Sequence, residues 1–421
     1  GEGAGALGPW PPPPHHLSLA APQILIVAGE ASGDSHAARL VAAIRELLPD
    51  AEFVGIGGDA LAAQGVRLLY HAEDLAVVGL SEVLEHLPTV FKALRDVGRV
   101  LKRQRPALTI LVDFPDFNFW VGRLAKFYRV PVMYYISPQV WAWRTYRVRT
   151  MARLADRIAV IFPFEADFYR QRGVSAEYVG HPLRETLPEV PNRQVLLKGW
   201  GLEPARLTVA LLPGSRASEV RLLLPIMLEA AKILQKAIPQ CQFVLPRAST
   251  VPVKLVEEIL GEETGDRRLE TEDRGPKTEN LDLPGLPPKI IPGQSYQALA
   301  AAHLGLVASG TATVEAALAG TPTVIVYRVS PITFAAARLL VRVPHAGMAN
   351  LLAGERMFPE LLQHFCTPEF LAREALAWIR NPERLEKLRR GLIRVITRLG
   401  GPGASRRAAR VAVELILGGG G

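Results

Sequence analysis

Two carboxylates, Asp113 and Asp116, lie in the segment DFPDFN that directly follows the apolar run LTILV. A carboxyl group at the end of a buried strand is suited to proton transfer, because burial raises its pKa toward the working pH of an enzyme. The alternative is a capped turn in which Asp116 or Asn118 begins the next helix. We assign the acid–base role to Asp113 and the turn role to Asp116.

A second group of polar residues, Gly214, Ser215 and Arg216, follows the strand-like run LTVALL and precedes a helical pattern. Glycine lets a ligand approach the backbone, serine and a helix N-terminus donate hydrogen bonds to phosphate, and arginine binds phosphate with two parallel bonds. A simple Pro-Gly turn is the alternative, but such a turn would not require the arginine. These residues predict a phosphate-binding loop.

The segment SGTATVE, which begins at Ser309, also follows an apolar run and opens a helix. Gly310 and Thr311 can contact a diphosphate through the backbone. Glu315 lies one turn further along the helix and can accept hydrogen bonds from two ribose hydroxyls. A capping box from Thr311 to Glu315 is excluded, because the box requires a spacing of three residues.

The first half of the chain contains two further strand-to-helix junctions. In GEASGD, Gly29 and Gly33 can bring backbone N–H groups close to a ligand, although a tight turn capped by Asp34 or Ser35 is an equal alternative. In SPQVWAWR (residues 137–144), two tryptophans can form a wall for a sugar or an acyl group.

A basic stripe follows this second junction. Arg149, Arg153 and Arg157 recur at four-residue spacing, which predicts one face of a helix. Such a face is either simply solvated or contacts phosphate or anionic lipid.

These segments follow short apolar runs that alternate with helical patterns, and such alternation predicts parallel sheets covered on both faces. The predicted fold class is α/β, with two Rossmann-like doubly wound domains facing a cleft. The predicted organisation is a disordered tail (1–20), an N-terminal domain (21–187), a linker (188–206), a C-terminal domain (207–375) with a surface insertion (262–288), and C-terminal helices (376–418) that pack back toward the first domain.

The composition excludes several classes of protein. Of the 421 residues 49% are hydrophobic and the net charge is +8, which is typical of a folded chain. Two cysteines cannot form a disulfide framework or a four-cysteine zinc site. No D-x-D motif or Walker A loop is present, and no run of 18 apolar residues predicts a transmembrane helix. The basic residues are not interleaved with aromatics, so we predict no nucleic-acid partner.

The sequence resembles the bacterial lipid-A-disaccharide synthases, whose motifs it contains in the family's order. The matching segments are GEASGD (29–34), GLSEVLEHLP (79–88), DFPDFN (113–118), SPQVWAWR (137–144), FPFE (162–165), VGHPL (179–183), LLPGSR (211–216), SGTATVEAALAGTP (309–322) and NLLAGE (350–355). The resemblance implies a GT-B glycosyltransferase that transfers diacylglucosamine from UDP to diacylglucosamine 1-phosphate. It further implies a β(1→6) product, inversion and no metal or other cofactor.

The resemblance also implies roles for individual residues. Asp113 would be the catalytic base. The UDP-sugar would contact Gly214, Ser215, Arg216, Ser309, Gly310, Thr311, Glu315 and Asn350. The acceptor would contact Gly33, Asp34, Glu82, Ser137, Gln139, Trp141 and Arg144. The implied partners are the two lipid substrates, an anionic membrane surface at the inner face of the cytoplasmic membrane, and a second copy in a homodimer.

Three other functions are compatible with parts of the sequence. Another GT-B enzyme on a UDP-N-acetylhexosamine is disfavoured by the combination of SPQVWAWR and DFPDFN. A non-catalytic membrane-surface binder would not require Asp113 or Glu315. An oxidoreductase is disfavoured, because no G-x-G-x-x-G follows the first strand of either half. For membrane contact we predict that residues 332–343 form an interfacial helix with Arg338 and Arg342 at its rim, the alternative being a buried core helix.

Overall fold

The structure, a computed structural model, describes residues 21–29, 31–75, 83–138, 148–264, 286–329 and 345–418. The chain forms two compact units. The first comprises the described residues of Gly1–Pro138, Met151–Ala159 and Ser405–Gly421, and the second those of Gln139–Thr150 and Val160–Ala404.

The first sheet has seven strands in the order β3-β2-β1-β4-β5-β6-β7. The strands are β1 (Gln23–Ala28), β2 (Glu52–Gly57), β3 (Arg67–His71), β4 (Leu108–Val112), β5 (Val132–Tyr135), β6 (Arg157–Val160) and β7 (Ala176–Tyr178). The helices up to the second sheet are α1 (Ala31–Leu47), α2 (Asp59–Ala63), α3 (Val83–Gln104), α4 (Pro115–Phe127), α5 (Val148–Leu154), α6 (Pro163–Arg170), α7 (Leu183–Thr186) and α8 (Arg193–Gly199). Every residue of β4 is buried, as expected for a parallel strand covered on both faces.

The second sheet has six strands in the order β10-β9-β8-β11-β12-β13. The strands are β8 (Leu207–Leu212), β9 (Cys241–Arg247), β10 (Lys289–Pro292), β11 (Leu304–Ala308), β12 (Thr323–Tyr327) and β13 (Glu360–Leu362). The helices are α9 (Ala217–Ala237), α10 (Val253–Thr264), α11 (Ser295–Ala301), α12 (Thr311–Ala319), α13 (Met348–Ala353), α14 (Pro368–Ile379) and α15 (Pro382–Arg398), and a final helix, α16 (Ala404–Gly418), follows in the first unit.

Each sheet has a point at which the order of its strands reverses. In the first sheet β1 pairs in parallel with both β2 and β4, and in the second β8 pairs in parallel with both β9 and β11. Ligands of open parallel sheets bind outside the carboxyl ends of the strands at such a point. The predicted fold class of two Rossmann-like α/β domains is confirmed, and the loops after β1, β4, β8 and β11 are where a site is expected.

The structure corrects some boundaries predicted from the sequence. Arg149 and Arg153 lie on α5, but Arg157 begins β6, so the three arginines do not form one helical stripe. Helix α10 continues to Thr264, so the insertion predicted at 262–288 does not begin at 262. The segment 188–206, predicted as a linker, contains α8. Residues 1–20, 265–285 and 332–343 lie outside the described residues.

No helix within the part of the chain that the structure describes is both long enough and apolar enough to cross a membrane.

Candidate functional site

The backbone at the end of the central strand β4 has an unusual conformation. Asp113 and Phe114 both have a φ of +47°. This left-handed region is unfavourable for residues other than glycine and is found mainly where the surrounding structure enforces it. The Asp113 carbonyl accepts hydrogen bonds from Asn118 Nδ2 and from the Tyr134 hydroxyl, each 2.7 Å long. These two donors stabilise the turn, and strain of this kind is typical of a functional position.

The loops after β1 and β4 meet at this turn. A Cβ atom added at Gly33 would lie 3.8 Å from the Asp113 Cβ, so the first turn of α1 packs beside Asp113. At Gly29 an added Cβ would lie 2.1 Å from the Phe114 ring, so a larger residue is excluded there. The half-buried Asp113 side chain therefore lies at the carboxyl end of a strand, as predicted from the sequence, and the strand order places this end at the point of reversal.

The Asp34 side chain forms hydrogen bonds within the first unit. Its buried carboxylate accepts hydrogen bonds from the backbone N–H groups of Gly58 at 2.7 Å, Ala60 at 2.9 Å and Leu61 at 3.3 Å. It thus caps α2, and it does not cap its own helix, because α1 already begins at Ala31. The Asp34 carboxylate thus stabilises the start of α2, and its contact with the acceptor stays a prediction.

The remaining residues predicted for the acceptor are only partly described. Ser137 is buried just beyond β5 and follows Ile136, whose φ is +56°. The residue that follows β5 therefore has a left-handed backbone conformation, as does the residue that follows β4. Glu82, Gln139, Trp141 and Arg144 lie outside the described residues, and their roles stay predictions.

In the second unit, the loop after β8 requires a glycine. Gly214 has a φ of +117°, and a Cβ there would lie 2.4 Å from Glu219 Oε2. Arg216 is the N-cap residue of α9 and is exposed, with its Nη1 3.5 Å from Glu219 Oε1. The Thr250 hydroxyl donates to the Ser215 carbonyl at 2.6 Å, which joins this loop to the one after β9. The loop thus presents a cation beside the N-terminus of a long helix.

The loop after β11 begins the helix α12. Its N-cap residue, Gly310, has a φ of +143° and no side chain, so the N-terminus of the helix is open to a ligand. The Ser309 hydroxyl donates to the Ala346 carbonyl at 2.8 Å, and the Thr313 hydroxyl donates to the Gly310 carbonyl at 2.8 Å. Because β8 and β11 are neighbouring parallel strands, the loops before α9 and α12 lie at the same edge of the sheet. Two helix N-termini and an arginine have the chemistry to bind an anion such as a diphosphate.

Glu315 lies one turn into α12. Its half-buried carboxylate accepts a 2.6 Å hydrogen bond from the Ser295 hydroxyl on α11. Burial raises the pKa of Glu315, and the Ser295 hydrogen bond opposes this rise. A carboxylate at this distance along the helix from the diphosphate loop can accept hydrogen bonds from ribose, so the arrangement fits a nucleoside diphosphate.

The Asn350 side chain, predicted to contact the donor, forms its hydrogen bonds within the second unit. This side chain is fully buried, and its Oδ1 accepts from the backbone N–H groups of Met357 at 3.0 Å and Phe358 at 2.9 Å. Its Nδ2 donates to the Phe358 carbonyl and to Glu360 Oε1, both at 2.8 Å. All four hydrogen-bonding positions of the amide are occupied, so none remains for a ligand.

Glu360 was missed by sequence reasoning. Its carboxylate accepts hydrogen bonds from the N–H groups of Ala346 at 3.0 Å and Gly347 at 2.9 Å. These two hydrogen bonds hold Ala346 in place, and its carbonyl accepts the hydrogen bond from the Ser309 hydroxyl. No motif in the sequence joins Glu360 to Ser309, because the connection exists only through the folded loop before α13. Across the described ranges, no three His, Cys, Asp or Glu side chains are grouped as ligands for a metal ion.

Two parallel α/β units, with ligand loops at the point of strand reversal in each, define the architecture of GT-B glycosyltransferases and UDP-sugar epimerases. A UDP-GlcNAc 2-epimerase from Neisseria meningitidis bound to UDP-GlcNAc has a TM-score of 0.59 at 13% identity, covering 94% of this chain and 100% of that one. A glycosyltransferase from Rickettsia africae has a TM-score of 0.56 at 11% identity, covering 95% of this chain and 99% of that one.

The chain belongs to the lipid-A-disaccharide synthetase family, whose model matches residues 24–415.

Relatives in this family are similar over nearly their whole length. The lipid-A-disaccharide synthase of Myxococcus xanthus is 44% identical over 396 residues, which are 94% of this chain and 98% of the relative. That of Syntrophus aciditrophicus is 43% identical over 393 residues, or 93% and 97%. The resemblance seen in the motifs is confirmed, and the protein is a hexosyltransferase of lipid A disaccharide synthesis.

Proposed function

We propose that this protein transfers 2,3-diacylglucosamine from UDP to the 6-hydroxyl of 2,3-diacylglucosamine 1-phosphate. The products are the β(1→6) disaccharide 1-phosphate and UDP, with inversion at the anomeric carbon. The observation that carries the proposal is the strained turn at Asp113, held beside Gly33 by Asn118 and Tyr134 at the end of β4. Backbone strain of this kind clusters at active sites, which supports a chemical role for Asp113.

In the proposed mechanism, the Asp113 carboxylate accepts the proton of the acceptor 6-hydroxyl. The hydroxyl oxygen then forms a bond to the anomeric carbon of the donor sugar, while the bond from this carbon to the diphosphate oxygen breaks. The electron pair leaves with UDP, and Asp113 later gives its proton to water. A base is needed because a sugar hydroxyl is a weak nucleophile.

The donor is proposed to bind at the second unit. The diphosphate would lie against Arg216, Ser215 and the starts of α9 and α12, with Gly214, Ser309, Gly310 and Thr311 contributing to the loops. The ribose would meet Glu315. This placement is supported by the open N-terminus at Gly310 and by the exposed Arg216 guanidinium.

The direct test is an assay with both lipid substrates. Purified protein should release UDP from UDP-diacylglucosamine only when diacylglucosamine 1-phosphate is present, and mass spectrometry should show the disaccharide. The proton coupling at the new glycosidic carbon should report the β configuration. UDP-N-acetylglucosamine serves as the control donor, and its turnover at an equal rate would contradict the proposed substrate.

We expect turnover to continue in excess EDTA. In this proposal the charge of the departing diphosphate is neutralised by Arg216 and by the N-terminal N–H groups of α9 and α12, which are already oriented toward an anion. UDP release measured with and without EDTA should be equal within error. Activity that disappears in EDTA and returns with Mg²⁺ would show that a cation supplies this charge instead.

We also propose that the protein meets its acylated substrates as a peripheral protein on the inner face of the cytoplasmic membrane. Exposed aromatic and basic side chains on the adjacent helices α3 and α4 support this. This α3–α4 surface comprises Phe91, Lys92, Arg95, Arg99, Trp120, Arg123 and Phe127. Phe91, Trp120 and Phe127 are 67%, 56% and 78% exposed, and the Arg123 guanidinium lies 4.9 Å from the Trp120 ring centre. Aromatic and basic side chains together are typical of a membrane-interface contact.

For this surface we expect the double variant Trp120→Ser with Phe127→Ser to lose most of its binding to anionic vesicles. The two rings supply apolar contact, while each near-surface basic residue contributes about 1 kcal/mol that salt screens. Flotation with phosphatidylglycerol vesicles at low and high salt measures both effects.

The control is the double variant Val195→Ser with Val253→Ser, which removes side chains that are 62% and 50% exposed in the second unit. It should float with vesicles as the parent protein does. A Trp120→Ser, Phe127→Ser protein that floats equally well would exclude the α3–α4 surface as the contact.

A further inference from the structure

A hydrogen bond joins two helices of the second unit at the proposed ribose site. Ser295 is the first residue of α11, and its hydroxyl donates to Glu315 Oε2 at 2.6 Å. Within the described part of the chain, no other hydrogen-bond donor contacts the Glu315 carboxylate. Oε2 therefore accepts one hydrogen bond within the protein, and Oε1 has both of its acceptor positions left for a ligand.

The helix that carries Ser295 is anchored at both ends. Before it, the Gly293 N–H donates to the Arg247 carbonyl at 2.8 Å. Near its end, the Thr321 hydroxyl donates to the Leu299 carbonyl at 2.7 Å, and Leu299 is fully buried. The position of the Ser295 hydroxyl is thus set by the sheet and the core.

A hydrogen-bond donor held in a fixed position affects how well the Glu315 carboxylate can bind a ligand. A glutamate side chain has three rotatable bonds, and ordering it when a ligand binds costs free energy. The Ser295 hydroxyl orders the carboxylate before binding. It also favours the charged form of a half-buried acid, which is the stronger acceptor of hydrogen bonds from hydroxyl groups.

We propose that Ser295 is a positioning residue for the donor nucleotide. It fixes the Glu315 carboxylate so that Oε1 receives the ribose hydroxyls, and it thereby makes the site selective for a ribonucleotide over a deoxyribonucleotide. This inference rests on the proposed function, in which UDP binds to the second unit.

Calorimetric titration with UDP and with 2′,3′-dideoxy-UDP tests the inference. Ser295→Ala should weaken UDP binding about three- to tenfold, the effect of one hydrogen bond, and leave the affinity for dideoxy-UDP unchanged. Ser295→Thr keeps the hydroxyl and should retain the selectivity of the parent. Gln297→Ala alters the same helix at a described residue that forms no hydrogen bond to Glu315, and it should change neither affinity.

The results of these titrations distinguish a failure of the role of Ser295 from a failure of the proposed donor site. If Ser295→Ala weakens both nucleotides equally, or neither, Ser295 does not act through the ribose and the inference fails. If Glu315→Ala abolishes the preference for UDP while Ser295→Ala preserves it, the inference fails and the donor site stands. If Glu315→Ala binds both nucleotides as tightly as the parent does, the proposed donor site itself is wrong.

Discussion

Asp113→Asn should lower kcat by about 10²–10⁴-fold, the usual contribution of a general base, while the affinity for UDP stays unchanged within error. Asparagine has the shape of aspartate but cannot accept the proton of the acceptor hydroxyl. It is also among the residues that tolerate a left-handed backbone best, so the φ of +47° is compatible with the variant. UDP release at saturating substrates gives kcat, and calorimetry gives the UDP affinity.

The matched control is Asp116→Asn, the same chemical change at an exposed residue in the first turn of α4. It should leave kcat near that of the parent. If Asp113→Asn instead retains activity within about fivefold of the parent, well below the contribution of a general base, Asp113 is a turn residue and the base lies elsewhere.

The second large effect is expected at the donor site. Arg216→Ala should weaken UDP binding by at least about tenfold, because a hydrogen bond to a charged group contributes roughly 1.5–3 kcal/mol. Uridine has no diphosphate, so its affinity should not change in this variant. Glu315→Ala should weaken both UDP and uridine, because both have the ribose. Calorimetric titration of each variant with the two ligands measures these differences.

Arg221→Ala is the control for Arg216, since Arg221 is another exposed arginine of α9. Its UDP affinity should equal that of the parent. Unchanged UDP binding in Arg216→Ala and Glu315→Ala variants that are shown to be folded would remove both residues from the site.

The strand-end positions of these residues could be predicted from the sequence for a physical reason. A parallel strand buried on both faces is a continuous apolar run, so its end is visible where polar residues begin. Asp113 after LTILV and Gly214 after LTVALL are both found this way. The same pattern predicted the two sheets, which the structure confirms.

The hydrogen-bond partners could not be predicted, because they lie outside the motifs and meet them only in the folded chain. Asp34 appears in a glycine-rich motif, yet the backbone of the loop after β2 binds its carboxylate. Asn350 also lies in a motif, but its amide stabilises the chain before β13. Ser295 lies in no recognisable motif and still contacts Glu315. A motif identifies a residue that is important, but it does not say why. Only the hydrogen-bond partners of the residue show whether it stabilises the fold or is placed for chemistry.

The last helix of the chain has a consequence for how the protein is synthesised. Helix α16 belongs to the first unit, where Ala408 and Ala412 are fully buried and the Arg406 guanidinium lies 3.2 Å from the Glu46 carboxylate of α1. A ribosome releases this helix only after nearly the whole second unit has been made. The nascent first unit therefore emerges with an apolar surface still uncovered, and such a surface favours aggregation or chaperone binding until α16 has been made.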